Sequence, residues 1–508
     1  MRLSFRQIDA LPRLAWCASL VEGHDTVEVL HGPWVETADG FFCEGAWSGP
    51  FASREIDSNI LMGSGARVMG DTLMVSAPNH TLERLFVLRK RRTLLISNSF
   101  AFTLARAEDN VDPHALLYSV RLASIVNGLQ EYARSLRTRD GHTLRLYYHC
   151  NLVIDTRLRV SEVPKQAAPD FRTFADYKTF LVAQISALHA NATDPCRRVR
   201  YTPIATLSSG YDSPAAAVLA RTVGCTEALT FSAATHQLDD SGEPIAARLG
   251  MKTHAFERLA YLRESGFPDA EFFGWGAQES PWAPHLEGRL VFTGFHGGAV
   301  WNRTSQKVGP HIVRGDASGH NLNAFRLRVG WIHLPVPFIG CTSHPSIHRL
   351  SNSEEMSPWR LRDHYDRPVP RRLIEEAGVE RHLFAVKKKA AGVGQDIIAR
   401  GLKARMTASA YNDYAEYHAM HWNRWMALKY RALKVLRALY LRHRAVNARV
   451  TAQIERLTGA HVELPILIPR NFRIGHYGDL DEGPLLMHWS ITRILPQYAV
   501  TDTRPSST

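Results

Sequence analysis

Cysteine is scarce in this sequence, and its few copies are scattered. The 508 residues contain six cysteines, and no two of them form a C-x-x-C pair. Zinc ribbons and iron–sulfur sites depend on closely spaced thiols, and a disulfide scaffold needs a dense cysteine framework. The sequence therefore argues against all three classes, and its cysteine usage is typical of a protein from the reducing cytoplasm.

Long apolar runs are also missing. No stretch approaches the roughly 18 consecutive apolar residues of a membrane span, and the first residues show no signal-peptide core. We therefore expect no transmembrane segment. Hydrophobic residues make up 45% of the chain and charged residues 22%, which are ordinary proportions for a globular protein. A chain of 508 residues is long enough for two or three domains.

Acidic residues are in deficit, with 49 Asp and Glu against 61 Lys and Arg and a formal net charge of +12. This balance favours acidic partners such as ATP, an acidic peptide or nucleic acid, although a generally basic host proteome predicts it equally well. Residues 421–449 contain eight lysines and arginines, no acidic residue and apolar residues near the helical period. This segment is predicted to pack on the preceding domain as a helix, or to bind an acidic peptide, RNA or a membrane surface.

Two kinds of pattern divide the chain. Residues 1–165 contain short apolar runs separated by turn signals, which predicts a β-rich domain. An amphipathic helix is predicted over residues 165–190. From residue 199 onward strands alternate with helices, which predicts a parallel sheet covered on both faces, and residues 350–460 are mostly helical. In such sheets ligands lie beyond the carboxyl ends of the strands.

A serine- and glycine-rich turn follows the first strand of that second region. A short apolar run, residues 201–207, leads into the turn, and Pro214 falls at the first turn of the predicted helix that follows. Backbone N–H groups and the positive end of the helix dipole converge there, which suits an anion. We predict that the nucleotide-binding residues of this turn are Leu207, Ser208, Ser209, Gly210, Tyr211, Asp212 and Ser213.

Asp212 does not fit a simple anion site. A carboxylate beside phosphates is repulsive unless a cation lies between them, which predicts Mg²⁺ bound to Asp212. The alternative is an ordinary strand–turn–helix connection that happens to be rich in small residues.

This turn resembles the pyrophosphate loop of the ATP pyrophosphatases, whose usual form is Ser-Gly-Gly-x-Asp-Ser. Ser209 replaces the first glycine of the usual pair. The wider chain resembles the asparagine synthetase family over roughly residues 90–400. The resemblance rests on the loop, on the second strand and acidic pair that follow it (Asp239 and Asp240), and on the late stretch from Tyr365 to Ala390.

The resemblance implies an α/β fold with three parts. Residues 1–165 would form a degenerate, β-rich Ntn-glutaminase-like domain. Residues 166–400 would form an ATP-pyrophosphatase synthetase domain of the adenine-nucleotide α-hydrolase-like kind, and residues 401–508 its helical C-terminal extension. The resemblance also implies that Phe231, Ser232 and Gly294 join the nucleotide site. Lys388 and Lys389 would stabilise charge on the phosphates and at the reacting carbon.

Two further departures change what the family pattern implies. Glutamine-using members carry a cysteine at position 2, but this chain has Arg2, so a working glutaminase is not expected. The second acidic loop of the family corresponds here to residues 293–300, where Ala299 and Val300 replace the acidic pair. Asp316 is a candidate substitute for those carboxylates.

The resulting expectation is an ATP- and Mg²⁺-dependent carboxylate–amine ligase, similar in logic to β-lactam synthetase or the lasso-peptide cyclases. It would adenylate a peptide or small-molecule carboxylate and form an amide. A base must deprotonate the amine, and Glu279, His296 and Tyr365 are unranked candidates. Two alternatives stay open: a tRNA- or nucleobase-modifying adenylating enzyme, and a decayed, non-catalytic nucleotide-binding protein.

Each of these residues also has a structural interpretation. Residues 387–389 are equally typical of a solvated helix end, and three adjacent lysines cannot all face one site. His296 can be a core histidine, and Glu279 can belong to an ordinary loop. Asp239 and Asp240 can simply cap the second helix.

Overall fold

A computed structural model describes residues 1–232, 240–263, 276–314, 323–361, 365–386, 400–458 and 483–500. It confirms a mixed α/β protein with a β-rich N-terminal region, a parallel sheet and helices. Within the described residues, no helix is both long and apolar enough to cross a bilayer.

The N-terminal region contains two largely antiparallel sheets. The strands are β1 (Arg2–Gln7), β2 (Trp16–Val21), β3 (Thr26–His31), β4 (Glu36–Ala38), β5 (Phe41–Trp47), β6 (Leu61–Met69), β7 (Thr72–Ser76), β8 (Leu85–Lys90), β9 (Thr93–Ser97), β10 (Ser135–Arg137), β11 (Thr143–Tyr147), β12 (Cys150–Asp155) and β13 (Val160–Pro164). One sheet has the order β1-β3-β2-β9-β8-β11-β10, and the other has the order β13-β12-β7-β6-β5-β4.

A buried apolar core lies between these two sheets. Trp16 and Val29 of the first sheet share it with Phe42, Val75 and Leu152 of the second. The rings of Trp16 and Phe42 meet edge to face, with centroids 5.0 Å apart. Alternating side chains along each strand direct one apolar face inward, so the two sheets bury each other.

Three helices accompany this region: α1 (Phe100–Ala107), α2 (Tyr118–Ala123) and α3 (Phe174–Ala192). The amphipathic helix predicted over residues 165–190 is α3, which begins later than expected. Its start is fixed by a capping box, in which Thr173 and Asp176 each bond the other's backbone N–H.

The second half of the chain contains a five-stranded, wholly parallel sheet. In chain order its strands and the helices around them are β14 (Thr202–Thr206), α4 (Asp212–Arg221), β15 (Glu227–Phe231), α5 (Glu243–Leu249), β16 (Lys252–Phe256), α6 (Ala283–Leu286), β17 (Arg289–Thr293), α7 (Gly297–Val300), α8 (Ala324–Val329), β18 (Ile332–Pro335), α9 (His344–Ser351) and α10 (Pro368–Glu376). The strand order is β16-β15-β14-β17-β18. The direction of winding reverses between β14 and β17, so the carboxyl ends of these two neighbouring strands form the switch point of the sheet.

Apolar contacts join the two halves. Ala46 and Met62 of the second N-terminal sheet lie in the same buried core as Phe292 and Leu334 of the parallel sheet. A buried ion cluster lies at the same junction. Arg326 of α8 binds both carboxylate oxygens of Glu44, at 2.9 and 3.2 Å, and its second nitrogen lies 2.9 Å from Glu83.

The C-terminal helices are α11 (Ala408–His421), α12 (Arg424–Thr458) and α13 (Leu486–Ile494). They share a buried core with the first N-terminal sheet, with α1 and with α8. Phe102 of α1 packs on Tyr498 with ring centroids 5.2 Å apart, and Tyr118 packs on His488 at 5.0 Å. The outer face of that sheet is apolar, and these helices cover it.

Candidate functional site

The predicted phosphate loop lies at the carboxyl end of β14, beside the loop that follows β17. The sheet changes winding direction between these two strands, and ligands of open parallel sheets bind at such a point. Ser213 Oγ accepts a hydrogen bond from the backbone N–H of Ser208 at 3.0 Å, and the two serine hydroxyls lie 2.9 Å apart. The turn is therefore closed on itself, with α4 beginning at Asp212.

Ser209 is held from both sides of the loop. Its hydroxyl donates to Asp240 Oδ1 at 2.9 Å, and its backbone N–H donates to the Asp240 carbonyl at 3.3 Å. Its own carbonyl accepts from the N–H of Ala385 at 2.7 Å. Ser209 does not have a positive φ, so a side chain is tolerated there. Asp240 thus holds the serine that replaces the usual glycine, instead of capping α5, which begins at Glu243.

Two glycines of the loop after β17 allow it to approach Asp212 closely. A Cβ atom on Gly294 would lie 2.3 Å from the Asp212 carbonyl carbon, and one on Gly297 would lie 2.5 Å from Asp212 Cγ. Both distances are below van der Waals contact, so neither position accepts a side chain without displacing the start of α4. The predicted site residue Gly294 therefore lies directly against the phosphate loop.

We expect Gly297→Ala to displace Asp212 and to lower stability by about 1–3 kcal/mol through overpacking, and to weaken the ATP binding predicted for this turn at least several-fold. Titration calorimetry with a non-hydrolysable ATP analogue and urea unfolding would measure the two effects. The matched control is Gly309→Ala, because a Cβ on Gly309 meets no atom within 4 Å. Equal behaviour of the two variants would contradict the close packing proposed around Asp212.

Arginines and tyrosines from the segment around α10 reach the loop. Arg367, at the N-terminus of α10, forms an ion pair with the Asp212 carboxylate, and its guanidinium lies over the ring of Tyr365. Arg371, one turn further along, binds the hydroxyl of the buried Tyr211. Tyr365 lies above the turn, since its hydroxyl is 3.5 Å from the position of a Cβ on Gly210.

Burial and neighbouring charges shift the pKa of Arg367 in opposite directions. Burial alone would lower the pKa of Arg367, but the Asp212 carboxylate and Tyr365 raise it, so the guanidinium stays charged. Burial raises the pKa of Tyr365 to about 12, so its phenol is protonated near neutral pH. Tyr365 is therefore suited to donating a hydrogen bond and not to the role of base.

The end of β15 forms the other wall of the site. Phe231 packs on Trp282 with ring centroids 4.9 Å apart, and the guanidinium of Arg258 lies 4.5 Å from the Phe231 centroid. Ser232 follows directly, and its N–H donates to the Phe256 carbonyl at 2.8 Å. Leu207 is buried against Gly242. These flat and apolar groups beside the phosphate loop suit the ring of a nucleobase.

The base candidates Glu279 and His296 lie in different segments, before α6 and after β17. Glu279 is half-buried, three residues before Trp282, and burial raises the pKa of its carboxyl group to about 7. His296 is buried after β17, where its ring stacks on Phe338 with centroids 4.5 Å apart. A pKa near 7 suits Glu279 to proton transfer at neutral pH.

Several predicted residues lie outside the described residues, namely Asp239, Asp316 and residues 387–389 with Lys388 and Lys389. Ala299 and Val300, at the positions where the resemblance would place an acidic pair, lie in α7.

The described residues do not form a resident metal site. No group of three or more His, Cys, Asp or Glu side chains within them is arranged to hold an ion. Asp212 supplies one carboxylate, and that carboxylate is paired with Arg367. Mg²⁺ is commonly held by one or two carboxylates together with substrate phosphates, so a single carboxylate at Asp212 is compatible with a site of that kind.

Sequence reasoning did not select three residues that the fold brings to the loop: Arg258, Arg367 and Arg371. A sequence signal could have identified Arg367 and Arg371. They lie on either side of Pro368, which opens a helix in the stretch used for the family resemblance. Arg258 follows β16 and carries no local signal. Comparison with known proteins adds no family assignment, since no protein-family model matches the chain and no curated protein matches its sequence.

Proposed function

We propose that this protein is an ATP-dependent ligase that adenylates a substrate carboxylate, releases pyrophosphate and transfers the acyl group to an amine. The observation that carries the proposal is the turn of residues 207–213. It combines serine hydroxyls, backbone N–H groups and the start of α4 at the switch point of a parallel sheet, with Arg367 at its rim.

The proposed reaction has two steps. A carboxylate oxygen attacks the α-phosphorus of MgATP, and the bond to the β-phosphate oxygen breaks, so pyrophosphate leaves. An amine nitrogen then attacks the acyl carbon, the bond to AMP oxygen breaks, and the amine proton passes to a base. Positioned donors and cations around the phosphates would supply most of the rate enhancement.

The chain's own groups have clear roles in this scheme. The turn would hold the departing pyrophosphate, and Phe231 and Leu207 would contact the adenine. Arg367 would exchange the Asp212 carboxylate for phosphate oxygens when MgATP binds, because both anions compete for one guanidinium. Lys388 and Lys389 keep the roles that the family resemblance implies for them.

The finer fold assignments belong to the same proposal. Two packed sheets in the N-terminal region are compatible with a glutaminase-like domain, and the loop at β14 is compatible with a pyrophosphatase-type nucleotide domain. Because residue 2 is arginine, we propose that the amine comes from the substrate or from solution and not from glutamine.

The test is product analysis of the purified protein with MgATP, with and without fractions of an extract from its host. AMP together with pyrophosphate supports the proposal, and the fraction that stimulates their release identifies the substrate. ADP as the product would refute it.

Glu279 offers a test of the second step. If its carboxylate accepts the amine proton, amide formation should rise with pH through about 7 as Glu279 ionises. Glu279→Gln should lower the rate of amide formation by roughly 100-fold and remove the rise of that rate near pH 7. The rate of ATP–pyrophosphate exchange should be unchanged. The control is Glu287→Gln, a carboxyl group paired with Arg13 near α6. If the rate of amide formation by Glu279→Gln still rises with pH near 7, another residue is the base.

One observation favours a second candidate, a non-catalytic nucleotide-binding protein. The Asp212 carboxylate is neutralised by Arg367, as expected for a site that no longer recruits a metal. Tight binding of ATP without turnover across all extract fractions would support this second candidate.

A further inference from the structure

Helix α12 exposes an apolar stripe along its length. Six aliphatic side chains, each between 42% and 75% exposed, recur at steps of seven and four residues. They are Leu428, Val435, Leu439, Val446, Val450 and Leu457. A step of seven rotates the direction by about −20° and a step of four by about +40°, so the net rotation from Leu428 to Leu457 is only about 20° and the stripe stays nearly straight for about 43 Å.

The stripe is not the face by which α12 packs on the protein. That face carries Met426 and Leu433, which are buried in the core shared with the first N-terminal sheet, and Tyr440, which is also buried. Leu433 and Val446 are thirteen residues apart, which places the stripe roughly 140° around the helix axis from the packed face. The helix therefore has two apolar faces, and the described residues cover only one of them.

A row of exposed arginines runs beside the stripe. Its members lie about 60° from the stripe around the helix axis, and three of them follow a stripe residue by three positions. They are Arg424, Arg431, Arg442, Arg449 and Arg456. The whole helix contains nine lysines and arginines and one acidic residue, Glu455.

We propose that the apolar stripe and the arginine row of α12 bind an anionic lipid surface. The aliphatic side chains would enter the boundary between headgroups and acyl chains, and the arginines would contact lipid phosphates at the same depth. Trp425, 72% exposed at the start of the helix, would lie at the interface, where tryptophan is enriched in membrane proteins.

Charge and shape argue against the other occupants of the surface. A second copy of the helix would bring nine more cations and a single acid, so the two would repel along their length. Nucleic acid would use the arginines but leave the apolar stripe in water. A helical peptide needs a groove, whereas the stripe is the convex side of a single helix, which suits a flat bilayer.

The experiment is co-sedimentation of the full chain with sucrose-loaded vesicles. One set contains phosphatidylcholine alone, and the other contains phosphatidylcholine with about 30% phosphatidylserine, which gives an anionic surface. We expect binding to the anionic vesicles that weakens as salt increases. Leu439→Ser with Val446→Ser should weaken it at least ten-fold, and Arg442→Gln with Arg449→Gln should remove the preference for anionic lipid.

Control variants distinguish loss of the α12 stripe from loss of any exposed apolar side chain and from unfolding. Val163→Ser with Val308→Ser removes two exposed valines outside the helix and should bind as the parent protein does. All of the substituted side chains of α12 are exposed, and circular dichroism checks that each variant is folded.

Three results would overturn the proposal. The first is the absence of sedimentation with anionic vesicles. The second is a stripe variant that binds vesicles as tightly as the parent while the arginine variant loses binding, which would indicate a polyanion site. The third is a parent protein that is dimeric by light scattering and becomes monomeric on substitution of the stripe, which would assign the stripe to a second copy.

Discussion

Asp212→Asn should reduce ATP–pyrophosphate exchange by at least roughly 100-fold, the loss expected when one aligned charge leaves a preorganised phosphate site. Asparagine keeps the size of the side chain and one oxygen that can accept from Arg367, but it removes the charge that orients this guanidinium. Exchange of radiolabelled pyrophosphate into ATP measures the first step without knowledge of the amine.

The choice of asparagine follows from the burial of Arg367. Asp212→Ala would leave that guanidinium buried without its carboxylate, which costs about 3–5 kcal/mol and confuses loss of fold with loss of function. The double variant Asp212→Ala with Arg367→Met should recover most of that stability without recovering exchange.

The matched control is Asp413→Asn, because Asp413 also pairs with an arginine, Arg493, but lies between α11 and α13. It should exchange pyrophosphate as the parent protein does. A folded Asp212→Asn protein with parental exchange would remove Asp212 from the site.

Arg326→Met should destabilise the protein by about 3–5 kcal/mol, because it leaves two buried carboxylates without their shared cation. The Arg326 side chain is 6% exposed, and those of Glu44 and Glu83 are 0% and 7% exposed. Burial already raises the pKa of Glu83 to about 7, although Arg326 opposes that rise. Denaturant unfolding with a global fit measures the loss.

The stability that Arg326→Met loses should become smaller as the pH falls. A carboxyl group whose folded pKa lies above its unfolded value costs stability above that unfolded pKa, and the cost disappears as acid protonates it. The deficit of Arg326→Met should therefore be largest above pH 7 and shrink as the pH falls toward 4.5.

Two comparisons test this explanation. Arg349→Met breaks an exposed pair with Asp170 and should cost less than about 1 kcal/mol. Arg326→Met combined with Glu44→Gln and Glu83→Gln should recover much of the loss, since no buried charge is then left unpaired. A deficit that is equal at pH 5 and pH 8 would point to lost packing instead of unpaired charge.

The parts of the fold that sequence reasoning anticipated depend on local signals. Gly250 ends α5 in the left-handed conformation, because few other residues tolerate a positive φ. The strand, serine-rich turn and helix around Asp212 follow one another as expected, since each depends on neighbouring residues. The alternation of strands and helices correctly predicted a parallel sheet.

Tertiary contacts decide some strand boundaries that local signals do not show. The apolar run of residues 144–154 is interrupted at His149, which has a φ of 52°, so the chain leaves one N-terminal sheet and enters the other. A single run of apolar residues does not reveal such a change, because both strands are equally apolar.

The sequence by itself determined the α/β class, the order of the elements and the serine- and glycine-rich turn, since periodicity and turn residues act over a few positions. The tertiary structure decided that Arg367, 155 positions beyond Asp212, neutralises it, and that Asp240 holds Ser209. It also decided that α11 to α13 cover the N-terminal sheet. A charged side chain shows nothing of its distant partner, and an apolar face packs against any apolar face that the topology brings to it.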